Sequence, residues 1–321
     1  MKKIHCVLTA ALCLWLLCGE AHASEELIPV GQVVGLELRN DSVSIAAFDD
    51  ALGSAARKAG LQIGDEILDI DGKTVKDAAD VRQALTHSDG QVRLRILRKE
   101  KEHELSLTPQ VTAAGPRLGV YLRQGVTGIG TVTWYDPDSG RFGTLGHGVN
   151  NAKGDLVELT DGTVYKANVL SVKRGKCGEP GQLRGGVDTA HVLGTVDKNT
   201  PQGVFGTVEA GWNGTALETA HRSQVKTGPA TIRSTVDGYA PHEYSVEIQK
   251  IYPGSRTEGR NMLIKVTDPA LLTATGGIVQ GMSGSPLLQD GRIVGAVTHV
   301  LVNDPTMGYA IFIENMLEAA G

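Results

Sequence analysis

The chain of 321 residues carries 31 Lys and Arg against 36 Asp and Glu, a net charge of −5, and 41% of it is hydrophobic. That length admits two domains, each with its own core, and the mild acidity without any basic cluster excludes a nucleic-acid footprint. Glycine is in excess, 41 of 321 residues where about 7% is usual, and without a collagen period this suits many short strands joined by turns.

At the N-terminus, Lys2 and Lys3 precede the apolar run CVLTAALCLWLLC, residues 6–18, and GEAHAS then sets Ala21 and Ala23 in A-x-A spacing. Residues 1–23 therefore read as a signal peptide, cleaved after Ala23, or as a short retained anchor. The run falls short of the roughly 20 apolar residues that span a bilayer comfortably. Cys6, Cys13 and Cys18 lie inside this leader and leave Cys177 alone. No internal disulfide or cysteine metal site is expected in the exported chain, and no motif calls for a cofactor or a metal.

Residues 28–110 form a first unit. GQVVGLELRN reads as a glycine turn into a strand. GSAARKAGLQIGDEILDIDGKTV, residues 53–75, holds a short helix, a glycine stop and a strand ending in the Asp71-Gly72 turn. In DAADVRQALTH, residues 77–87, Ala78, Val81, Ala84 and Leu85 recur at helical spacing. Val92, Leu94 and Ile96, then Leu105 and Leu107, alternate as a hairpin. This succession, above all residues 59–75, resembles a PDZ domain. The resemblance implies capture of a peptide as an added strand, its carboxylate held by backbone N–H groups. The loop that would do this is Gly35-Leu36-Glu37-Leu38, with Gly35, Leu36 and Leu38 as the peptide-binding positions. Glu37 stands where a glycine is usual and would repel a peptide carboxylate, so an intramolecular docking role is the alternative.

Residues 115–321 change texture. Short alternating runs such as GIGTVTWYDP, GVFGTVEAGW and YSVEIQKIYPG are separated by Gly, Pro, Asp and Asn, and helical spacing returns only in AIFIENMLEAA. This is the pattern of a β-sandwich or barrel. Within it, Ser283 sits in QGMSGSP, framed by glycines ahead of an apolar strand. A serine hydroxyl attacks only when a base removes its proton, and the base needs an orienting partner. His147 in FGTLGHGVN supplies the base, and Asp268 in IKVTDPALL, fifteen residues before Ser283, the carboxylate. Backbone N–H groups of Gly281 and Ser283 would receive the oxyanion. Rival roles are local ones. Asp268 precedes a proline as helix N-caps do, Ser285 and Asp304 suit turns, His299 suits packing on its strand, and Asp188 with His191 offers a substitute pair.

The Gly-x-Ser-Gly-x-Pro frame is similar to that of chymotrypsin-like serine proteases, although Met282 replaces their aspartate. GTLGHG, the stretch 276–309 and the preceding PDZ-like unit together resemble the stage IV sporulation protein B peptidase family. The resemblance implies a mainly β chain, a PDZ domain followed by a chymotrypsin-like barrel domain, with His147, Asp268 and Ser283 as the catalytic triad. It also implies export to the space between forespore and mother-cell membranes, self-processing, and cleavage of a membrane-associated regulator in sporulation signalling. The alternative is a non-catalytic PDZ scaffold that keeps the protease shape.

Overall fold

The computed structural model describes residues 25–88, 90–99, 101–151, 154–252 and 259–321. The expected leader, 1–23, lies outside the described residues with its three cysteines. Among the described residues no helix is long and apolar enough to cross a membrane, and Cys177 is an exposed free thiol.

Period-two alternation builds two rings of antiparallel strands. In the first, Val33–Phe48, Val120–Tyr135, Arg141–Thr144, Gly203–Val208, Gln182–Thr200 and Asp161–Lys173 each bond to the next, and the last returns to the first. Its interior holds Val34, Leu36, Leu38, Val132, Phe142, Val164 and Val204. The second is a closed barrel of Gly228–Ser234, His242–Ile251, Met262–Val266, Asp304–Phe312, Arg292–Leu301 and Pro286–Gln289. Ile232, Val246, Ile264, Leu287, Val297 and Phe312 fill it. Closure leaves neither ring an open edge. The C-terminal helix Ile313–Ala320 buries Ile313, Met316 and Ala320 in a cluster that takes Leu27 from the strand Glu26–Pro29, Trp134 and Phe205 from the first ring and Ile293 from the second.

The PDZ unit is threaded between two strands of the first ring. Val33–Phe48 and Val120–Tyr135 each run from the barrel into it: 33–38 pair with 126–131 in the barrel, and 43–48 with 120–124 in the PDZ unit. Between them come helix Ser54–Lys58, strand Glu66–Ile70, helix Ala78–Thr86 and the hairpin Val92–Arg98 with Lys101–Leu107. The expected helical face buries Val81, Ala84 and Leu85 against Ile67, Leu94 and Ile96, whereas Ala78 stays exposed. Asp77 caps that helix through the N–H groups of Ala79 and Asp80. Asp71 (φ 51°) and Gly72 (φ 77°) make the turn with two left-handed residues, as a type I′ hairpin requires. The chain is thus mainly β, as its texture predicts, with a PDZ domain joined to a protease-like barrel domain, as the family resemblance implies.

One expectation is corrected. Gly35, Leu36 and Leu38 are not a peptide-gripping loop. They lie mid-strand, bonded to 126–129 on one side and to 162–165 on the other. Leu36 and Leu38 point into the first barrel's core. These residues have no open edge for an added strand, because the chain's own strand Asp161–Lys173 already pairs with them. Glu37 does not face a ligand carboxylate either. It accepts from Tyr165 Oη at 2.7 Å and Arg39 Nε at 3.0 Å. Burial pushes its pKa up, but the hydrogen bonds of Arg39 and Tyr165 outweigh this and hold it below the usual carboxylate range. Residues 28–38, expected in the first unit, therefore build the barrel of the second.

Candidate active site

Two residues before Ser283, Gly281 sits at φ 98°, a left-handed angle that favours glycine. Three carbonyls of this loop are tied to buried threonines of strand Val120–Tyr135. Thr131 Oγ1 donates to Gly281 O at 2.8 Å and the Thr131 N–H to Ser283 O at 3.2 Å. Thr133 Oγ1 donates to Gly284 O at 2.7 Å. With the carbonyls engaged, the N–H groups of Gly281 and Ser283 donate to nothing among the described residues. Two unspent amides beside a serine are what an oxyanion needs. Ser285, the rival nucleophile, is fully buried, with its Oγ 2.7 Å from Met282 O and 2.9 Å from Ser234 Oγ.

His147 reaches the same place from the first barrel. After strand Arg141–Thr144, Leu145 and Gly146 both adopt φ 69°. A left-handed leucine costs about 1–2 kcal/mol. It is held by packing on Gly130, where an added Cβ would come within 2.6 Å of Leu145 Cδ2. Gly146 then lies so close to strand Arg292–Leu301 that a Cβ on it would meet Thr298 Cγ2 at 2.9 Å. The His147 ring that follows packs 5.4 Å, centre to centre, from that of His299. Its Nδ1 lies 2.9 Å from Gly148 O, so the neutral tautomer that donates there leaves Nε2 as the free acceptor. Burial lowers its pKa below the ordinary histidine value, only partly offset by the Gly148 carbonyl, and the ring is neutral at pH 7.

Serine and histidine both border a β-bulge, Ser283 at Thr298 and His147 at His299. Pairing of Arg292–Leu301 with Asp304–Phe312 slips between Val297 and His299, leaving Thr298 as the extra residue. Its carbonyl accepts the Ser283 hydroxyl at 2.8 Å, while its own hydroxyl is bound to Gly259 O at 2.8 Å. The Ser283 hydroxyl therefore rests on Thr298 and not on His147.

Asp268 is not brought to His147. It caps helix Pro269–Thr275: Oδ1 accepts from the N–H groups of Ala270 at 2.9 Å and Leu271 at 3.0 Å, and Oδ2 from that of Ser245 at 3.3 Å. Among the described residues no carboxylate bonds to His147; the Gly148 carbonyl holds the ring. Asp268→Ala is accordingly expected to cost about 1 kcal/mol of stability, the usual loss on removing such a cap, while Asp268→Asn retains it; thermal melts of the two variants check this. Asp188 and His191 pair with each other at 2.6 Å on an exposed stretch of strand, and Asp304 binds Thr306 in its turn. A cleft of about 1120 Å³ beside the PDZ unit, lined by Asp65, Arg98, Arg123 and Leu156 among others, contains none of these groups.

Thr131, Thr133, the Thr298 carbonyl and the Gly148 carbonyl are the contributors that the motifs do not name. A usable signal exists for the first two: threonines at 131 and 133 alternate within an otherwise apolar strand interior, and all are buried. The Thr298-His299 pair likewise interrupts an apolar strand. Carbonyl roles leave no mark in a sequence.

A family model for the SpoIVB peptidase S55 matches residues 115–317, and one for the PDZ domain matches residues 51–98. A curated relative, a putative zinc metalloprotease of Rhizobium meliloti, is 34% identical over 102 residues, 32% of this chain; the match spans only 26% of that protein's length. Among solved structures, the active form of the Rv3671c protease from M. tuberculosis is 16% identical, with 76% of this chain and 87% of that one aligned and a TM-score of 0.35. The PDZ domain of an SdrC-like protein from Listeria monocytogenes is 21% identical over 26% of this chain and 87% of its own, with a TM-score of 0.22. With the S55 model spanning well over half of its length, Ser283 and His147 inside that match, and most of the PDZ unit inside the other, this chain belongs to the SpoIVB peptidase S55 family and carries a PDZ domain.

Proposed function

We propose that this protein is an exported serine endopeptidase in which Ser283 is the nucleophile and His147 the general base. The observation that carries the reading is the pair of unspent amides, Gly281 and Ser283, held beside a hydroxyl on one wall of a site whose other wall carries a neutral histidine. For attack, the Ser283 hydroxyl leaves Thr298 O by rotation about χ1 and gives its proton to His147 Nε2 as Oγ bonds the scissile carbonyl carbon. The carbonyl oxygen takes up negative charge between the two amides. His147 then returns the proton to the leaving amine, and water repeats the sequence on the acyl-enzyme. Gly148 O keeps Nδ1 protonated throughout.

Family membership supports the wider role: self-processing, then cleavage of a membrane-associated regulator in a sporulation pathway, in the space between forespore and mother-cell membranes. The PDZ unit is part of the enzyme's frame, threaded between two strands of the first barrel. One observation favours the alternative of a catalytically silent scaffold, the Ser283 hydroxyl resting on a backbone carbonyl.

Labelling with a fluorophosphonate separates the two. The enzyme reading expects the full-length protein to react at Ser283 and His147→Ala to react at least about 10²-fold more slowly, the usual contribution of a general base. Because burial depresses the His147 pKa, the ring stays neutral to lower pH than a free histidine, and the rate is expected to fall to half only below pH 6.5. A protein that takes no label at any pH is the scaffold.

A further inference from the structure

We propose that the buried hydroxyl of Ser285, backed by that of Ser234, is a positioning group for the oxyanion hole, holding the peptide plane that aims the Ser283 N–H into the site. The role rests on Ser283 being the nucleophile, as proposed above. A trans peptide unit is planar, and its N–H and C=O point in opposite directions. The N–H of Ser283 therefore faces away from the Met282 carbonyl, and the N–H of Gly281 away from the Gln280 carbonyl. Gln280 O is held by a backbone group, the Leu183 N–H at 2.8 Å. Met282 O is held twice over by one residue: the Ser285 N–H at 3.0 Å closes the turn, and Ser285 Oγ lies at 2.7 Å.

Ser285 Oγ has a single proton. With that proton on Met282 O, the contact of 2.9 Å to Ser234 Oγ is one in which Ser234 donates. Ser234 ends strand Gly228–Ser234 of the second barrel, and both serines are fully buried. A hydroxyl that accepts a hydrogen bond donates a stronger one, and in a dry interior no water competes for it. Met282 itself brings no charge to order the loop: it stands where chymotrypsin-like proteases carry an aspartate, and its side chain is buried among the apolar residues of the barrel. The turn alone does not need the hydroxyl, because the Ser285 N–H already satisfies Met282 O. What the hydroxyl adds is a second, convergent bond that resists rotation of the 282–283 peptide. That peptide carries one of the two amides between which negative charge develops.

The test follows fluorophosphonate labelling of the full chain as a rate and as an endpoint. The rate senses the oxyanion donors, because the phosphoryl oxygen takes up charge as Ser283 Oγ bonds phosphorus and fluoride leaves. The endpoint counts molecules with an assembled site. Ser285→Ala is expected to label at least about tenfold more slowly than the unaltered chain, short of the 10²–10³ for loss of a donor outright, and to reach the same endpoint. It also strands the Ser234 hydroxyl in the interior, so its melting temperature is expected to fall by about 5 °C. Ser234→Ala combined with Ser285→Ala removes the stranded group; stability is expected to return while the slow labelling stays. A merely structural serine gives the opposite: a rate that recovers with stability, or an endpoint that falls at an unchanged rate. Either result, or a double variant that labels as fast as the unaltered chain, would overturn the proposal and leave Ser283 as the nucleophile. An unaltered chain that takes no label removes the nucleophile itself, and the positioning role with it.

Discussion

Ser283→Ala is expected to abolish cleavage while leaving the fold intact. Removal of the nucleophile from a serine peptidase typically costs on the order of 10⁶ in kcat, because base and oxyanion donors then have nothing to activate. The structural cost is small by comparison. The hydroxyl makes one hydrogen bond, to Thr298 O at 2.8 Å, and a single such bond contributes about 1 kcal/mol net. For a domain of this size that is roughly 2–4 °C in Tm. A large kinetic loss with a small thermal shift, measured on an unstructured protein substrate and by calorimetry, identifies Ser283 as chemical rather than structural. Ser285 gives the contrast, being fully buried between Met282 O and Ser234 Oγ. Undiminished cleavage by Ser283→Ala would remove the nucleophile from the proposed function.

The strand texture beyond residue 115, the Asp71-Gly72 turn and the Val81–Leu85 helical face were all legible because they depend on local periodicity and turn chemistry. The GMSG and GHG motifs were legible for a related reason. Each is a stretch where glycine is demanded by a left-handed angle or by a near neighbour, and such demands concentrate around a reacting group. Residues 35–38 show the limit. GLEL is apolar and alternating, equally suited to the rim of a peptide groove and to a central strand, and the deciding partner, Val164, lies far along the chain. The resemblance to a PDZ domain supplied the rim; long-range pairing supplied the strand. Asp268 shows a second limit. The sequence TDPALL carries a capping signal and a family signal on one residue, and in this structure the carboxylate is spent on three backbone N–H groups. His299 was readable as a packed histidine on an apolar strand, but its closeness to His147 arises only where two barrels meet.

Gly284→Ala is expected to damage both stability and activity, although the residue takes no part in the chemistry. Gly284 has φ 95°, which an alanine adopts only with strain. An added Cβ would lie 2.0 Å from Thr131 O and 2.5 Å from the Leu145 nitrogen, both backbone atoms of the first barrel that cannot step aside alone. Its own N–H donates to Val297 O at 2.7 Å and its carbonyl accepts from Thr133 Oγ1 at 2.7 Å, so the residue cannot retreat either. Overpacking and left-handed strain add to about 3 kcal/mol or more, roughly 10 °C in Tm. Gly291→Ala separates the two terms, because Gly291 is also left-handed, at φ 75°, but has nothing within 4 Å of its would-be Cβ. It should lose only the strain, about 1–2 kcal/mol, and keep its activity. In Gly284→Ala the relief available is to part the nucleophile loop from Thr131, the residue that also holds Gly281 O and Ser283 O. That turns the two amides away from the oxyanion, and kcat assayed well below the melting point should fall by about 10²–10³. A Gly284→Ala protein as stable and as active as Gly291→Ala would mean that the contact between the barrels does not set the site.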